Sequence, residues 1–88
     1  MAKTFHLQII TPSKIFYEGE VASLIAPGEE GYLGVLADHA PLISNLKPGK
    51  ISIFTQPGAT PLVFNSPGKG FLEVVKNQVT LLLRTLEQ

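Results

Sequence analysis

The sequence predicts an all-β fold of short strands, either a sandwich or a barrel, from two observations. The first is an alternation of apolar and polar residues near the start, where Phe5, Leu7 and Ile9 alternate with polar neighbours as on a half-buried strand. The second is the spacing of eight Gly and seven Pro at about strand intervals, which leaves no window for a helix longer than one turn, near residues 38–43. Because 88 residues are too few for two independent cores, residues 1–88 are expected to form a single domain.

The first part of the chain contains two strand-forming stretches separated by a turn. Residues 11–14, Thr-Pro-Ser-Lys, end the first strand. A β-branched stretch then runs from Ile15 to Ile25 and stops at residues 27–28, Pro-Gly. This stretch fits either two strands or one bent strand, and Gly19 is the predicted bulge or turn within it.

The second part of the chain contains four further runs of apolar and β-branched residues, each bounded by Pro, Gly or Asn. These predicted strands are Ile51–Thr55, Leu62–Asn65, Phe71–Val75 and Val79–Arg84. In the last two strands apolar residues are consecutive, at 74–75 and 81–83, so both strand faces are apolar. Either both faces contribute to a core or a partner covers one of them.

The composition argues against several classes of function. The chain has no Cys, which removes disulfides and thiol catalysis and gives no sign of an oxidising compartment. Seven basic and seven acidic side chains cancel, so there is no net charge to attract nucleic acid or an anionic membrane. No segment approaches the roughly 20 apolar residues of a membrane span, and the start does not resemble a signal peptide. We therefore expect a cytosolic protein that does not bind nucleic acid.

Candidate catalytic groups are few. For nucleophilic hydrolysis by a Ser or Thr, only His6 and His39 are available as the base. His39 follows Asp38 directly, but adjacent residues of an extended chain point to opposite faces and do not form an acid–base dyad by themselves. His6 lies on the polar face of the first strand, and Glu18 and Glu20 are expected on a solvated strand face. The sequence predicts no catalytic residue, no metal site and no cofactor.

The most unusual segment is residues 27–42, which read Pro-Gly-Glu-Glu-Gly-Tyr-Leu-Gly-Val-Leu-Ala-Asp-His-Ala-Pro-Leu. This segment resembles the signature of the ε subunit family of F-type ATP synthases. The resemblance continues in order at residues 46–49 (Leu-Lys-Pro-Gly), 70–74 (Gly-Phe-Leu-Glu-Val) and 77–80 (Asn-Gln-Val-Thr). Several spaced motifs in the right order are more specific than any one of them, and together they cover essentially the entire chain.

The resemblance implies a two-sheet β-sandwich of about ten short strands. It also implies a non-catalytic subunit of the central stalk, which lies beside the foot of the γ subunit and rests on the ring of c subunits. In the family this domain helps to lock γ to the c-ring, so that proton-driven rotation reaches the catalytic β subunits of the head. The implied location is the cytoplasmic face of the bacterial inner membrane, peripheral to the membrane through the complex. The stromal side of the plastid thylakoid membrane is the alternative.

The resemblance also implies two contact regions. The loop expected to face the c-ring comprises Glu29, Glu30, Gly31, Tyr32 and Leu33. The corner expected to lie against γ comprises Asp38, His39, Ala40, Pro41 and Leu42. The alternatives are a solvated hairpin tip for the loop and, for His39, a side chain that only fixes the corner by hydrogen bonds to the backbone. Tyr32 departs from the polar residue often found at its position.

Most members of the family continue into two C-terminal helices that bind ATP or extend along γ. This sequence ends at Gln88, so we expect a short form without a C-terminal helical domain and without helix-dependent inhibition. The alternative function is a free-standing β-sandwich that binds a small ligand or a peptide in a groove floored by Phe54, Phe64 and Phe71.

Overall fold

The computed structural model describes residues 3–86, which form nine β-strands joined by turns. The strands are β1 (Phe5–Thr11), β2 (Lys14–Val21), β3 (Ser23–Gly28), β4 (Gly31–Leu36), β5 (Leu42–Leu46), β6 (Gly49–Phe54), β7 (Leu62–Ser66), β8 (Gly70–Val75) and β9 (Gln78–Leu83). The all-β prediction is confirmed, with nine strands in the described residues where about ten were expected. Residues 37–41 form a turn and an irregular segment, without the single helical turn that the sequence allowed.

The strands form one curled sheet whose two halves face each other as a sandwich. The first half, the five-stranded sheet, has the order β2-β1-β9-β8-β5, and the second, the four-stranded sheet, has the order β4-β3-β6-β7. The halves join at a single residue pair, Gly28 of β3 opposite Leu46 of β5. Neighbouring strands are antiparallel except for β1 and β9, which run parallel.

The core lies between the two sheets and follows the alternation of the strands. In β1 every second residue is buried, from Phe5 to Thr11, as the sequence predicts. The buried residues that form the core cluster are Phe5, Leu7, Ile9, Val21, Leu24, Ala26, Val35, Leu46, Ile51, Ile53, Leu72, Val74, Val79, Leu81 and Leu83. Each fully buried Leu, Ile or Phe side chain contributes about 1.5–3 kcal/mol, so this cluster is the main source of the domain's stability.

A β-bulge in β2 helps to close the sandwich. The register of β1 against β2 shifts after the pair Ile9 and Tyr17, so Phe16 is the extra residue. The bulge allows Phe16 and Tyr17 both to pack against the core. Phe16 meets Phe64 of β7 edge to face, with 5.1 Å between ring centroids, and this contact brings together the strands at the two ends of the sheet order.

Gly19, the predicted bulge, lies instead in a regular part of β2 opposite Leu7, so that prediction is wrong. The bulge depends on which residues of β1 pair with β2, and such a pairing leaves no local mark in the sequence. The choice between one bent strand and two strands is decided in favour of two, because β2 and β3 flank Ala22 and belong to different sheets.

The last two strands are apolar on both faces, but only one face is covered within the described residues. Val74 and Leu81 are buried in the core. On the opposite face Val75 is 43% exposed and Leu82 is 47% exposed. The interpretation in which both faces contribute to a core is therefore wrong, and cover by a partner stays a prediction.

Candidate partner-binding surfaces

The loop predicted to face the c-ring is the turn and first part of a β-hairpin. Glu29 and Glu30 form the two-residue turn between the paired residues Gly28 and Gly31. Gly31 has φ 138°, a conformation that L side chains rarely adopt, so glycine is strongly favoured at this position. Both glutamate side chains are exposed. The hairpin, whose residues 29–33 we call the tip, therefore presents two carboxylates to any neighbour.

Backbone hydrogen bonds attach the tip to β5 and to the segment that follows it. The Glu29 N–H donates to the Asn45 carbonyl oxygen at 3.2 Å, and the Lys47 N–H donates to the Pro27 carbonyl oxygen at 2.9 Å. These bonds satisfy backbone groups and involve no carboxylate. The turn therefore does not need either glutamate side chain in order to fold.

Tyr32 belongs to the tip but is anchored on a neighbouring strand. Its side chain is 60% exposed, and its Oη accepts a hydrogen bond from the Lys50 N–H at 3.3 Å. Gly49 leaves room for this arrangement, because a Cβ at Gly49 would lie 2.8 Å from Pro27 Cβ and 3.1 Å from Tyr32 Oη. The tyrosine that departs from the family pattern is thus held by β6, a contact that the local sequence does not show.

The corner, residues 38–42, is fixed by side chains from distant parts of the chain. Asp38 has φ 63°, and its Oδ2 accepts a hydrogen bond from Lys3 Nζ at 2.9 Å. Its Oδ1 accepts one from Asn77 Nδ2 at 3.0 Å, and its N–H donates to Asn77 Oδ1. The hydrogen bond from Asn77, followed by the hydrogen bond and charge of Lys3, lowers the pKa of Asp38 below its ordinary value.

His39 fixes the backbone of the corner. Its Nδ1 donates to the Ala40 carbonyl oxygen at 2.7 Å, and since a carbonyl only accepts, this nitrogen carries the proton. Asp38 makes its side-chain bonds with Lys3 and Asn77 and not with His39. A hydrogen bond to the backbone is what the alternative interpretation of His39 predicted, and a contact of His39 with γ stays a prediction.

Leu42 is the corner residue least suited to contact a partner. Its side chain packs against the core, whereas the next residue, Ile43, is 74% exposed on the outer side of β5. The alternation of a strand explains the difference, because successive side chains point to opposite faces of the sheet. A probe of this surface therefore has to be placed at Ile43.

The corner and the tip lie near opposite ends of β5. At the corner end Leu42 pairs with Val74, and at the tip end Leu46 pairs with Gly70. Five residues of a strand span about 15 Å. The structure does not bring the two predicted regions into one site and arranges them as two separate surfaces.

A third surface lies on the outer side of the five-stranded sheet. Four apolar residues follow one another across neighbouring strands, namely Ile15 of β2, Ile10 of β1, Leu82 of β9 and Phe71 of β8. Ile15, Leu82 and Phe71 are 52%, 47% and 53% exposed. We call these four residues, with Ile43 on β5, the outer apolar face. Its sequence signal was the apolar run in the last two strands, which sequence reasoning did not develop into a site.

A cluster of ionisable side chains borders this face on β1 and β2. His6 Nε2 lies 2.9 Å from Glu18 Oε2, and His6 Nδ1 lies 3.1 Å from Glu20 Oε2. The hydrogen bond with Glu18, followed by the one with Glu20, raises the pKa of His6 above its ordinary value. Within residues 3–86, no group of three or more His, Cys, Asp or Glu is placed to bind a metal ion.

Two hollows flank the tip. The larger, of about 650 Å³, follows the ends of β8 and β9, where Phe71 and Leu82 form an apolar wall and Lys69, Arg84 and Glu29 contribute charged groups. The smaller, of about 450 Å³, lies between the tip and residues 43–45 of β5. Glu29 contributes to both, so the tip separates the two hollows.

The groove expected for a ligand-binding sandwich is not assembled. Of Phe54, Phe64 and Phe71, only Phe71 lines the larger hollow. Phe64 instead packs against Phe16 and the core.

In the part of the chain that the structure describes, no helix is long and apolar enough to cross a membrane.

Comparison with known proteins decides the family. Residues 4–88 match the family model of the ATP synthase delta/epsilon chain β-sandwich domain. The chain belongs to the ATP synthase delta/epsilon chain family. This confirms the resemblance that the spaced motifs indicated.

The chain is similar to curated ATP synthase epsilon chains. The ATP synthase epsilon chain of Natranaerobius thermophilus is 44% identical over 85 residues, covering 97% of this chain and 60% of the relative. The epsilon chain of Moorella thermoacetica is also 44% identical over 85 residues, covering 97% and 62%. The chain thus spans about 60% of the length of the curated relatives it matches.

Solved structures confirm the delta/epsilon sandwich fold. A chain of the Euglena gracilis mitochondrial ATP synthase (OSCP/F1/c-ring, rotational state 1) matches with a TM-score of 0.85 and 21% identity, over 94% of this chain and 52% of that one. A chain of the Tetrahymena thermophila mitochondrial ATP synthase (central stalk/c-ring) matches with a TM-score of 0.79 and 17% identity, over 96% and 66%. At these identities the likeness concerns the fold.

Proposed function

We propose that this chain is a non-catalytic central-stalk subunit of an F-type ATP synthase, which binds the γ subunit through the outer apolar face and the c-ring through the tip. The observation that carries the proposal is the outer apolar face. It places several large side chains, including Ile43 at 74% exposure, on one side of a small domain. Ile43 lies opposite Glu73, whereas the other four residues of the face are contiguous across four strands, and a contiguous apolar row of this kind favours a protein partner.

The proposed γ surface combines the corner with the outer apolar face. Ile43 directly follows the corner residue Leu42, so the two regions are continuous along β5. The centre of a stable interface is apolar and poor in charge, as Phe71 and Leu82 are, and its rim is polar. A stable interface buries about 1,200–2,000 Å² in total, which is feasible for a face that spans five strands.

The proposed c-ring surface is the tip. Its carboxylates, Glu29 and Glu30, are exposed and are not used to hold the turn. They are available to pair with basic groups on the polar loops of a c-ring. The tip and the corner lie near opposite ends of β5, so the corner does not occupy the tip, and the outer apolar face borders the tip at Ile43 and Phe71.

In this arrangement the domain transmits torque and performs no chemistry, and it needs no cofactor. The turning c-ring, driven by protons, moves the tip, and the outer apolar face passes the movement to γ and so to the catalytic β subunits. The matched chains of known structure come from an OSCP/F1/c-ring complex and from a central stalk/c-ring complex, which supports this role. The proposed location is peripheral, at the cytoplasmic face of the bacterial inner membrane or, as the alternative, the stromal side of the thylakoid membrane.

The proposal is tested by measuring the affinity of the purified chain for its cognate γ subunit, with Ile43→Asp as the variant. Ile43 lies on β5 opposite Glu73, within the proposed interface, and a second negative charge there is expected to weaken binding at least about tenfold. Val63→Asp is the matched control, because Val63 is 46% exposed on β7 of the four-stranded sheet. Its affinity should stay within about twofold of the wild type.

Two results would contradict the proposal. The first is a wild-type chain that does not bind γ, which would remove the rotor role. The second is equal loss of affinity in Ile43→Asp and Val63→Asp, which would place the interface elsewhere. Thermal unfolding of each variant separates loss of binding from loss of folding.

A further inference from the structure

The larger hollow beside the tip combines an apolar wall with two cations. Phe71 and Leu82 lie opposite each other on β8 and β9 and are about half exposed. Next to them is Gly70, where a Cβ would lie 2.5 Å from the Leu82 carbonyl oxygen and 2.6 Å from Leu83 Cδ2. No side chain fits at Gly70, which lines the hollow, and the volume of the hollow is about 650 Å³.

Lys69 and Arg84 stand side by side at the end of this hollow. Gly70, the first residue of β8, pairs with Leu83, the last residue of β9. Lys69 precedes Gly70 and Arg84 follows Leu83, so the two cations are neighbours just beyond this pair. The stem of Arg84 lies along Gly68, since a Cβ there would be 3.8 Å from Arg84 Cβ. Both cations are exposed, and within residues 3–86 neither forms a salt bridge with a carboxylate.

We propose that this hollow receives a segment of the γ subunit in which an acidic side chain lies next to an apolar one. The acidic group lies between Lys69 and Arg84, and the apolar side chain lies against Phe71 and Leu82. An arginine presents a planar pair of donors to a carboxylate, and a neighbouring lysine adds a second charge. The inference rests on the proposed function and names the chemistry of one part of the γ surface.

The position of the hollow favours γ over the c-ring as the source of this segment. Phe71 and Leu82 belong to the outer apolar face, so the hollow continues that surface. Glu29, on the other side of the hollow, separates it from the smaller hollow at the tip. With two cations against one carboxylate, the larger hollow attracts an acidic group, whereas the exposed carboxylates of the tip attract a basic one.

The test measures the affinity of Lys69→Glu/Arg84→Glu for the cognate γ subunit at two ionic strengths. Raising the ionic strength from about 0.1 to about 1 M shortens the Debye length from about 10 to about 3 Å. Wild-type affinity should fall with salt, and the variant should bind at least about tenfold more weakly at low salt with its salt dependence reduced or reversed. Lys69→Gln/Arg84→Gln, which adds no repulsion, should show a smaller loss in the same direction.

The matched control is Lys50→Glu, whose side chain lies on the outer side of β6 in the four-stranded sheet. It reverses one charge where the double variant reverses two, and it should leave affinity and salt dependence unchanged. If the wild type binds γ and both double variants bind as the wild type does, the inference is overturned and the proposed function stands. If the double variants lose affinity for an isolated c-ring but not for γ, the inference is overturned as well. If the wild type does not bind γ, both fail.

Discussion

The corner and the tip lie near opposite ends of one strand but depend on different interactions. At the corner, Asp38 is held by the side chains of Lys3 and Asn77, which come from opposite ends of the chain. At the tip, backbone bonds of Glu29 and Lys47 hold the turn, and the carboxylates take no part. A charge in the corner therefore serves folding, whereas the charges of the tip are free to serve a partner.

The largest expected effect distinguishes two adjacent residues at the corner end of β5. Leu42→Asp places a carboxylate against the core and should lower the free energy of unfolding by about 2–4 kcal/mol. Ile43→Asp, at a side chain 74% exposed, should change it by less than about 0.5 kcal/mol. Urea denaturation of both variants measures the difference. Equal destabilisation would show that the outer side of β5 is packed against something, contrary to this description of the corner.

The tip should respond to a change in the backbone that supports it. Gly49→Ala brings a Cβ to 2.8 Å from Pro27 Cβ and 3.1 Å from Tyr32 Oη, and we expect a loss of about 1–3 kcal/mol. Gly34→Ala is the matched control, because a Cβ there meets nothing within 4 Å. It should be neutral or slightly stabilising, since alanine lowers the entropy of the unfolded chain. Thermal unfolding measures both, and a neutral Gly49→Ala would contradict the close packing of Tyr32.

The ionic contacts of Asp38 in the corner should make the protein less stable as the pH falls, whereas those of His6 should make it less stable as the pH rises. The pKa of Asp38 is lowered on folding, so its contribution is present above the ordinary carboxyl value of 3.8 and is lost as the pH falls through the folded value. The pKa of His6 is raised, so its contribution is present below the ordinary histidine value of 6.5 and is lost as the pH rises through the folded value. Both effects should be small, because exposed ion pairs contribute little.

Urea midpoints measured across pH for the wild type, Asp38→Asn and His6→Gln separate these two contributions. Asp38→Asn should flatten the acidic part of the curve, and His6→Gln should flatten the part near and above pH 6.5. An unchanged acidic limb in Asp38→Asn would mean that Lys3 and Asn77 do not stabilise the corner through its charge.

The sequence predicted the features of the fold that depend on local patterns. Alternation at Phe5, Leu7 and Ile9 identified β1 and its buried face. The bulge at Phe16 escaped prediction because it depends on the register of β2 against β1 and on the contact with Phe64 across the sandwich. Pairings between distant strands determine such features, and a single sequence does not record them.

The candidate surfaces show the same limit. The motif located the tip and the corner, but the partners of Asp38 lie 35 and 39 residues away, at Lys3 and Asn77. The inward direction of Leu42 follows from the register of β5 on β8, where it pairs with Val74. The sequence also could not predict that Leu82 is exposed, because an apolar run does not show which face of the strand is covered.

The smallest expected effect on stability belongs to the tip itself. Glu29→Ala/Glu30→Ala should leave the free energy of unfolding within about 0.5 kcal/mol of the wild type, because backbone bonds hold the turn. The same variant should bind an isolated c-ring more weakly, by about three- to tenfold, with a weaker dependence on salt. Glu73→Ala is the matched control, since Glu73 is an exposed carboxylate in the middle of β8, away from the tip. A clearly lower free energy of unfolding in the tip variant would contradict the difference between corner and tip. If the tip variant binds the c-ring as tightly as Glu73→Ala does, the tip is a solvated hairpin without a partner.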